Sequence, residues 1–141
     1  MKTPFYLMLF KTQHAQSKKN RETMDEYHLS PGQPKVLRYL NAHQDCKLKD
    51  IADECDIESA TVSKMIDNLE KKEMLTRKIN PKNKRAYQLN ITKYGKESLK
   101  KWNEHCLEIE NISLKDFSDE EKKQFEDFLN RMYKNLTNKE L

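Results

Sequence analysis

The chain has 141 residues, with 27 Lys plus Arg against 23 Asp plus Glu, two glycines and three cysteines, a length suited to one ordinary domain. Gly32 and Gly95 are too far apart to write a Gly-x-Gly-x-x-Gly dinucleotide turn or a Gly-x-x-x-x-Gly-Lys phosphate loop, so nucleotide enzymes of those types are excluded. Leu, Ile, Val and Phe together number 29, close to the roughly 20% below which chains stay disordered; the expected core is small, and oligomerisation is expected to complete its burial.

The apolar run Phe5 to Phe10 is too short for a secretory or membrane-spanning segment, and the chain reads as cytoplasmic. Cys46, Cys55 and Cys106 form no Cys-x-x-Cys pair, which points to reduced, mostly buried thiols and not to a disulfide framework or a zinc knuckle.

From the N-terminus, roughly Pro4 to Tyr27 reads as a weak helix with its apolar residues at the ends. Ser30-Pro31-Gly32-Gln33 predicts a helix start with Ser30 as N-cap, Pro31 at the first helical position and Gln33 closing a capping box, followed by about three turns carrying Val36, Leu37 and Leu40. Leu48, Ile51, Ala52 and Cys55, then Val62, Met65, Ile66 and Leu69, fall at i, i+3, i+4 and i+7 and predict two amphipathic helices. Asp56-Ile57-Glu58 between them fits a helix-turn-helix, with Asp56 able to take the left-handed conformation such a reversal needs.

After Leu69 the period becomes two. Leu75, Arg77 and Ile79, then Tyr87, Leu89 and Ile91, predict two strands joined through Asn80 to Ala86. From Thr76 to Tyr87 there are five cations (Arg77, Lys78, Lys82, Lys84, Arg85) and no acid, whereas eight acids face three lysines from Leu107 to Asp127; the two segments are built for different partners. Thr92 is placed to cap a long helix with Leu99, Trp102, Cys106 and Ile109 along a seam, and Ser118-Asp119-Glu120-Glu121 opens a last helix striped by Phe125, Phe128, Leu129, Met132, Tyr133 and Leu136.

The order helix, helix-turn-helix, basic hairpin, long helix is that of a winged helix, and its residues resemble the MarR family of bacterial transcriptional regulators. Leu29-Ser30-Pro31-Gly32-Gln33 is similar to the family's Leu-Thr-Pro-x-Gln opening, and Ile51-Ala52 leads through Asp56 to Thr61-Val62-Ser63-Lys64. Met65 to Leu75 resembles its hydrophobic-Asp-x-Leu-Glu-x-x-Gly-Leu stretch, and Leu89-Asn90-Ile91-Thr92-Lys93-Tyr94-Gly95 its Leu-Thr-x-x-Gly close. The sequence departs from the pattern where Asp56 and Glu73 replace glycines, where Glu58-Ser59 replaces Ser-Arg, and in the wing, where Asn80, Asn83 and Lys84 replace two acids and an arginine.

The resemblance implies one domain over residues 1–141, mainly α with a small β-hairpin wing: a winged helix-turn-helix lobe over about 30–92, with N- and C-terminal dimerisation helices over about 4–27 and 93–138. It implies a sequence-specific double-stranded DNA-binding regulator, a ligand-responsive repressor acting as a homodimer on a pseudo-palindromic operator. The helix from about Ser59 to Lys72 would enter the major groove, where Ser59, Ala60, Thr61, Ser63 and Lys64 could meet base edges and phosphates. Arg85 would enter a minor groove, with Lys82 and Lys84 on flanking phosphates.

The effector the family implies is a small phenolic or other apolar anion, with no pocket residues assignable from the sequence. The first helix lacks the reactive Cys of the peroxide-sensing branch, and the two histidines of the zinc-sensing branch are absent; no metal or other cofactor is expected. A winged helix that docks protein through its acidic C-terminal helix is the alternative class, and the acid-free run of wing cations argues against it. No His or nucleophile stands at a recognisable catalytic spacing, so no enzyme is expected.

Overall fold

The computed structural model describes residues 1–43 and 46–141, apart from the side chains of Asn80 and of residues 84–87. The chain divides into two compact units, Met1–Leu107 and Glu108–Leu141. The first holds α1 (Phe5–Arg21), a 3-10 turn (Met24–Tyr27), α2 (Gln33–Ala42), α3 (Leu48–Cys55), α4 (Ser59–Lys71), β1 (Leu75–Asn80), β2 (Asn83–Ile91) and most of α5 (Lys93–Ser113); the second holds the end of α5 and α6 (Asp119–Thr137).

The apolar periods become the core of the first unit. Val36, Leu37 and Leu40 from α2, Ile51, Ala52 and Cys55 from α3, and Val62, Ile66 and Leu69 from α4 meet Met74, Leu75 and Leu89 of the hairpin in one buried cluster. Burial of each large aliphatic side chain stabilises the fold by about 1.5–3 kcal/mol. This three-helix packing with a two-stranded antiparallel hairpin is a winged helix-turn-helix.

The start of α2 differs from its expected form. Gly32, not Ser30, is the N-cap, at φ 85°, and a Cβ there would collide with the Met65 side chain. Half of the expected box survives, since Ser30 N–H donates to Gln33 Oε1 at 2.9 Å. Pro34 lies in the first turn of α2, where a missing N–H costs little. At the α3–α4 junction Asp56 takes the left-handed conformation, with φ 55° and ψ 44°.

The hairpin pairs Leu75 with Ile91 through Ile79 with Tyr87, then shifts register so that Asn80 faces Asn83. The connection is therefore Pro81-Lys82, shorter than the expected Asn80 to Ala86 loop: β2 begins at Asn83 because a bulge lets the polar residues continue the ladder.

Thr92 caps α5 as expected, its Oγ1 accepting from Gly95 N–H at 3.1 Å, and the same hydroxyl donates to the Glu73 carbonyl at 2.7 Å. Gly95 lies so close to the Met74 carbonyl that a Cβ could not be placed there. The seam of α5 serves the chain's own core first: Leu99 and Trp102 belong to the buried cluster, with Cys106 packed against it. His105 is also buried, its Nε2 lying 3.2 Å from the Asn20 carbonyl and 3.2 Å from Thr23 Oγ1. Because a carbonyl only accepts, Nε2 carries the proton and pins the end of α1 to α5.

In the second unit α6 opens with a complete capping box: Glu121 N–H donates to Ser118 Oγ at 3.1 Å, and Ser118 N–H to Glu121 Oε1 at 2.9 Å. These bonds hold the Glu121 carboxyl below its usual range. No residue of α1 or α6 is buried, and Phe5, Tyr6, Phe10, Phe128 and Leu136 are more than half exposed. Among the described residues no helix is long and apolar enough to cross a membrane.

Candidate nucleic-acid interface

The geometry of α4 follows from its sequence period. Val62, Ile66 and Leu69 point inward and are essentially inaccessible, while Met65 is partly buried against the core. The remaining positions of the first two turns turn outward: Ser59, Ala60, Thr61 and Lys64 are exposed and Ser63 is half-buried. The expected reading residues thus share one accessible surface at the leading end of the helix. Glu58, the N-cap, makes no side-chain cap, so the first N–H groups of α4 are left for water or an anion.

The other end of α4 closes in a Schellman motif. Glu73 takes φ 63°, its N–H donates to Glu70 O at 3.0 Å, and Met74 N–H donates to Leu69 O at 3.0 Å. Glu73 and Asp56 therefore carry the left-handed backbone that the family's glycines supply, at a cost of about 1 kcal/mol each relative to glycine.

Of the five wing cations, Arg77 is committed within the chain. Its guanidinium bonds Asp67, and it reaches Glu70 at 3.5 Å, both acids lying on α4. This ties the base of β1 to the helix. By sequence Arg77 stands with the other wing cations; the signal for the tie is the pair Asp67 and Glu70, two acids one turn apart on the polar face of the helix that precedes the strand. Lys78 and Lys82 are exposed. The side chains of Lys84 and Arg85, expected at a phosphate and in the minor groove, lie outside the described residues.

A second polar network, which no local sequence pattern signals, joins α4 to the start of α2. Lys72 Nζ donates to Gln33 Oε1 at 2.9 Å and to Ser30 Oγ at 3.2 Å, and Gln33 Nε2 donates to Asn68 Oδ1 at 2.8 Å. Gln33 is buried, so these bonds satisfy an amide that would otherwise cost about 1–3 kcal/mol. Partial burial lowers the Lys72 ammonium pKa from its ordinary value, and Asp25 partly offsets the shift.

The three cysteines are in the thiol form, with Cys46 and Cys55 buried. Burial pushes the Cys55 thiol up, more than the Lys35 charge draws it down, which describes an inert thiol. Cys106 is likewise raised by burial.

Comparison with known proteins agrees with this geometry. The model of the MarR family matches residues 29–87, from the loop before α2 to β2. The chain is 32% identical over 98 residues to the HTH-type transcriptional regulator BilQ of Clostridioides difficile, covering 70% of this chain and 66% of that protein. It is 33% identical over 99 residues to the uncharacterized HTH-type transcriptional regulator YxaD of Bacillus subtilis, covering 70% and 69%. The matched stretch thus spans about two thirds of each relative. Among solved structures, a Staphylococcus aureus MepR–DNA complex shares the fold with a TM-score of 0.84 at 23% identity, covering 95% of this chain and 99% of that one. The motifs, the fold and these likenesses agree: the chain belongs to the MarR family of transcriptional regulators.

Proposed function

We propose that the chain is a sequence-specific double-stranded DNA-binding regulator, a ligand-responsive repressor that acts as a homodimer. The observation that carries this reading is α4: anchored at its C-terminal end, it presents Ser59, Ala60, Thr61 and Lys64 together on an exposed surface. In a major groove the hydroxyls suit base edges or phosphates, Ala60 a thymine methyl, and Ser63 and Lys64 the adjoining backbone or a guanine. Lys82, with Lys84 and Arg85, extends the cationic surface along the wing, Arg85 in the minor groove.

The terminal helices supply the pairing surface. Exposed rings and aliphatics on α1 and α6 suit burial against a second copy. Two copies related by a two-fold axis would place their α4 helices about 34 Å apart, one turn of duplex, on a pseudo-palindromic site. The effector expected from the family is a small phenolic or apolar anion, and the compartment for this work is the cytoplasm.

Fluorescence anisotropy with duplex from upstream of the chain's own gene, against a scrambled duplex and across a salt series, tests the reading. Selective binding by a dimer that weakens steeply with salt is expected. Lys64→Ala should alter binding at the half-site centre, or weaken it uniformly if the ammonium meets phosphate; Arg85→Ala should weaken it chiefly at A·T-rich flanks. Equal affinity of both variants and the parent would overturn the docking.

A further inference from the structure

At the C-terminal end of α4 lies an open recess of about 450 Å³ lined by Asp25, His28, Leu29, Ser30, Lys72 and Tyr94, within the size range of small-molecule sites. Most of its polar groups face solvent and keep hydrogen-bonding capacity for a ligand. Lys72 uses two of its three N–H bonds, on Ser30 Oγ and Gln33 Oε1, and Gln33 Oε1 is already shared with Ser30 N–H. The Asp25 carboxylate, the His28 ring nitrogens and the Tyr94 hydroxyl have no hydrogen-bond partner among the described residues. The His28 and Tyr94 rings stand 6.3 Å apart and form an aromatic wall. Asp25 and Lys72 line the same recess and feel one another's charge, yet no ion pair joins them.

We propose that this recess binds a small zwitterion, an amino acid with an apolar or aromatic side chain, whose carboxylate meets Lys72, whose ammonium meets Asp25 and whose side chain lies on His28 and Tyr94. A plain anion would bring its charge against Asp25, and a plain amine its charge against Lys72. A molecule carrying both charges meets a complement for each. This ligand differs from the phenolic or apolar anion that the family implies.

The recess also has a route to the DNA-reading surface. Lys72 is the C-cap of α4, and the Gln33 that it bonds holds Asn68 one turn earlier in that helix. A carboxylate drawing the ammonium toward the recess competes with Ser30 and Gln33 and loosens the anchor of α4. This second step rests on the reading of α4 as the DNA-reading helix; ligand binding itself does not.

The test is calorimetric titration of the DNA-free protein with the panel of proteinogenic amino acids. Saturable 1:1 binding of one or more apolar or aromatic members is expected. The deaminated and decarboxylated analogues of the best binder, such as 3-phenylpropionate and phenethylamine for phenylalanine, should bind about tenfold more weakly or worse. Asp25→Asn, a change at an exposed position, should weaken the amino acid but not the deaminated analogue, and Lys72→Met should weaken the amino acid and the deaminated analogue but not the decarboxylated amine. No saturable binding by any member of the panel, or equal binding of parent and truncated analogues, overturns the site. DNA affinity unchanged at ligand saturation overturns the coupling alone. Failure of the DNA reading would instead appear as absent selective binding before any ligand is added.

Discussion

At its C-terminal end α4 is held from several directions: the Schellman bonds of Glu73 and Met74, the Lys72 and Asn68 bonds to Gln33, the pairing of Asp67 and Glu70 with Arg77, and the Thr92 hydroxyl on the Glu73 carbonyl. At its N-terminal end Glu58 offers no side-chain cap and the next three residues are exposed. The contrast separates two tasks in one helix. Hydrogen bonds spent within the chain fix where the helix points, and donors left unspent at the other end remain for a ligand.

The strongest way to break the contrast is to push α5 off the anchored end. Gly95→Ala forces a methyl against the Met74 carbonyl and should cost about 2–3 kcal/mol in urea unfolding. A loss under about 0.5 kcal/mol would mean that the two segments separate freely. Arg77→Gln releases the hairpin from α4. Because both acids are half-exposed, the stability loss should stay below about 1 kcal/mol, while DNA affinity measured by anisotropy should fall about fivefold as the wing loses its register with the helix.

The free end can be sharpened instead. Glu58→Ser supplies the missing cap and removes a carboxylate beside the DNA-facing surface; a gain of about 0.5–1 kcal/mol in stability and tighter DNA binding should appear together. Glu73→Gly should stabilise by about 0.5 kcal/mol, the relief at φ 63° exceeding the entropy cost of glycine. The smallest effect expected is at Cys55, which should resist alkylation in the native protein at neutral pH and react fully once unfolded, as mass spectrometry of the alkylated peptide would record.

The helix-turn-helix and the hairpin were legible because their residues obey periods that burial enforces: Val62, Ile66 and Leu69 on one, Leu75 and Leu89 on the other. The outward placement of Ser59, Ala60, Thr61 and Lys64 is the complement of the same period. Less legible were features made by residues distant in sequence. Gln33 reads as half of a local capping box, and its other half is Lys72, 39 positions away. Arg77 reads as one of a run of free cations, yet its partners lie on the preceding helix. The start of α2 departs from its expected form for a local reason: Gly32 takes a left-handed conformation that a Ser-Pro start does not signal.

The Thr92 hydroxyl acts as donor toward Glu73 and acceptor toward Gly95 at once. Valine has nearly the same shape and can do neither, whereas serine can do both. In a saturation library selected for function, this position should therefore return a two-letter alphabet, Thr and Ser. Its tolerance would be set by the chemistry of one oxygen and not by the volume of the side chain.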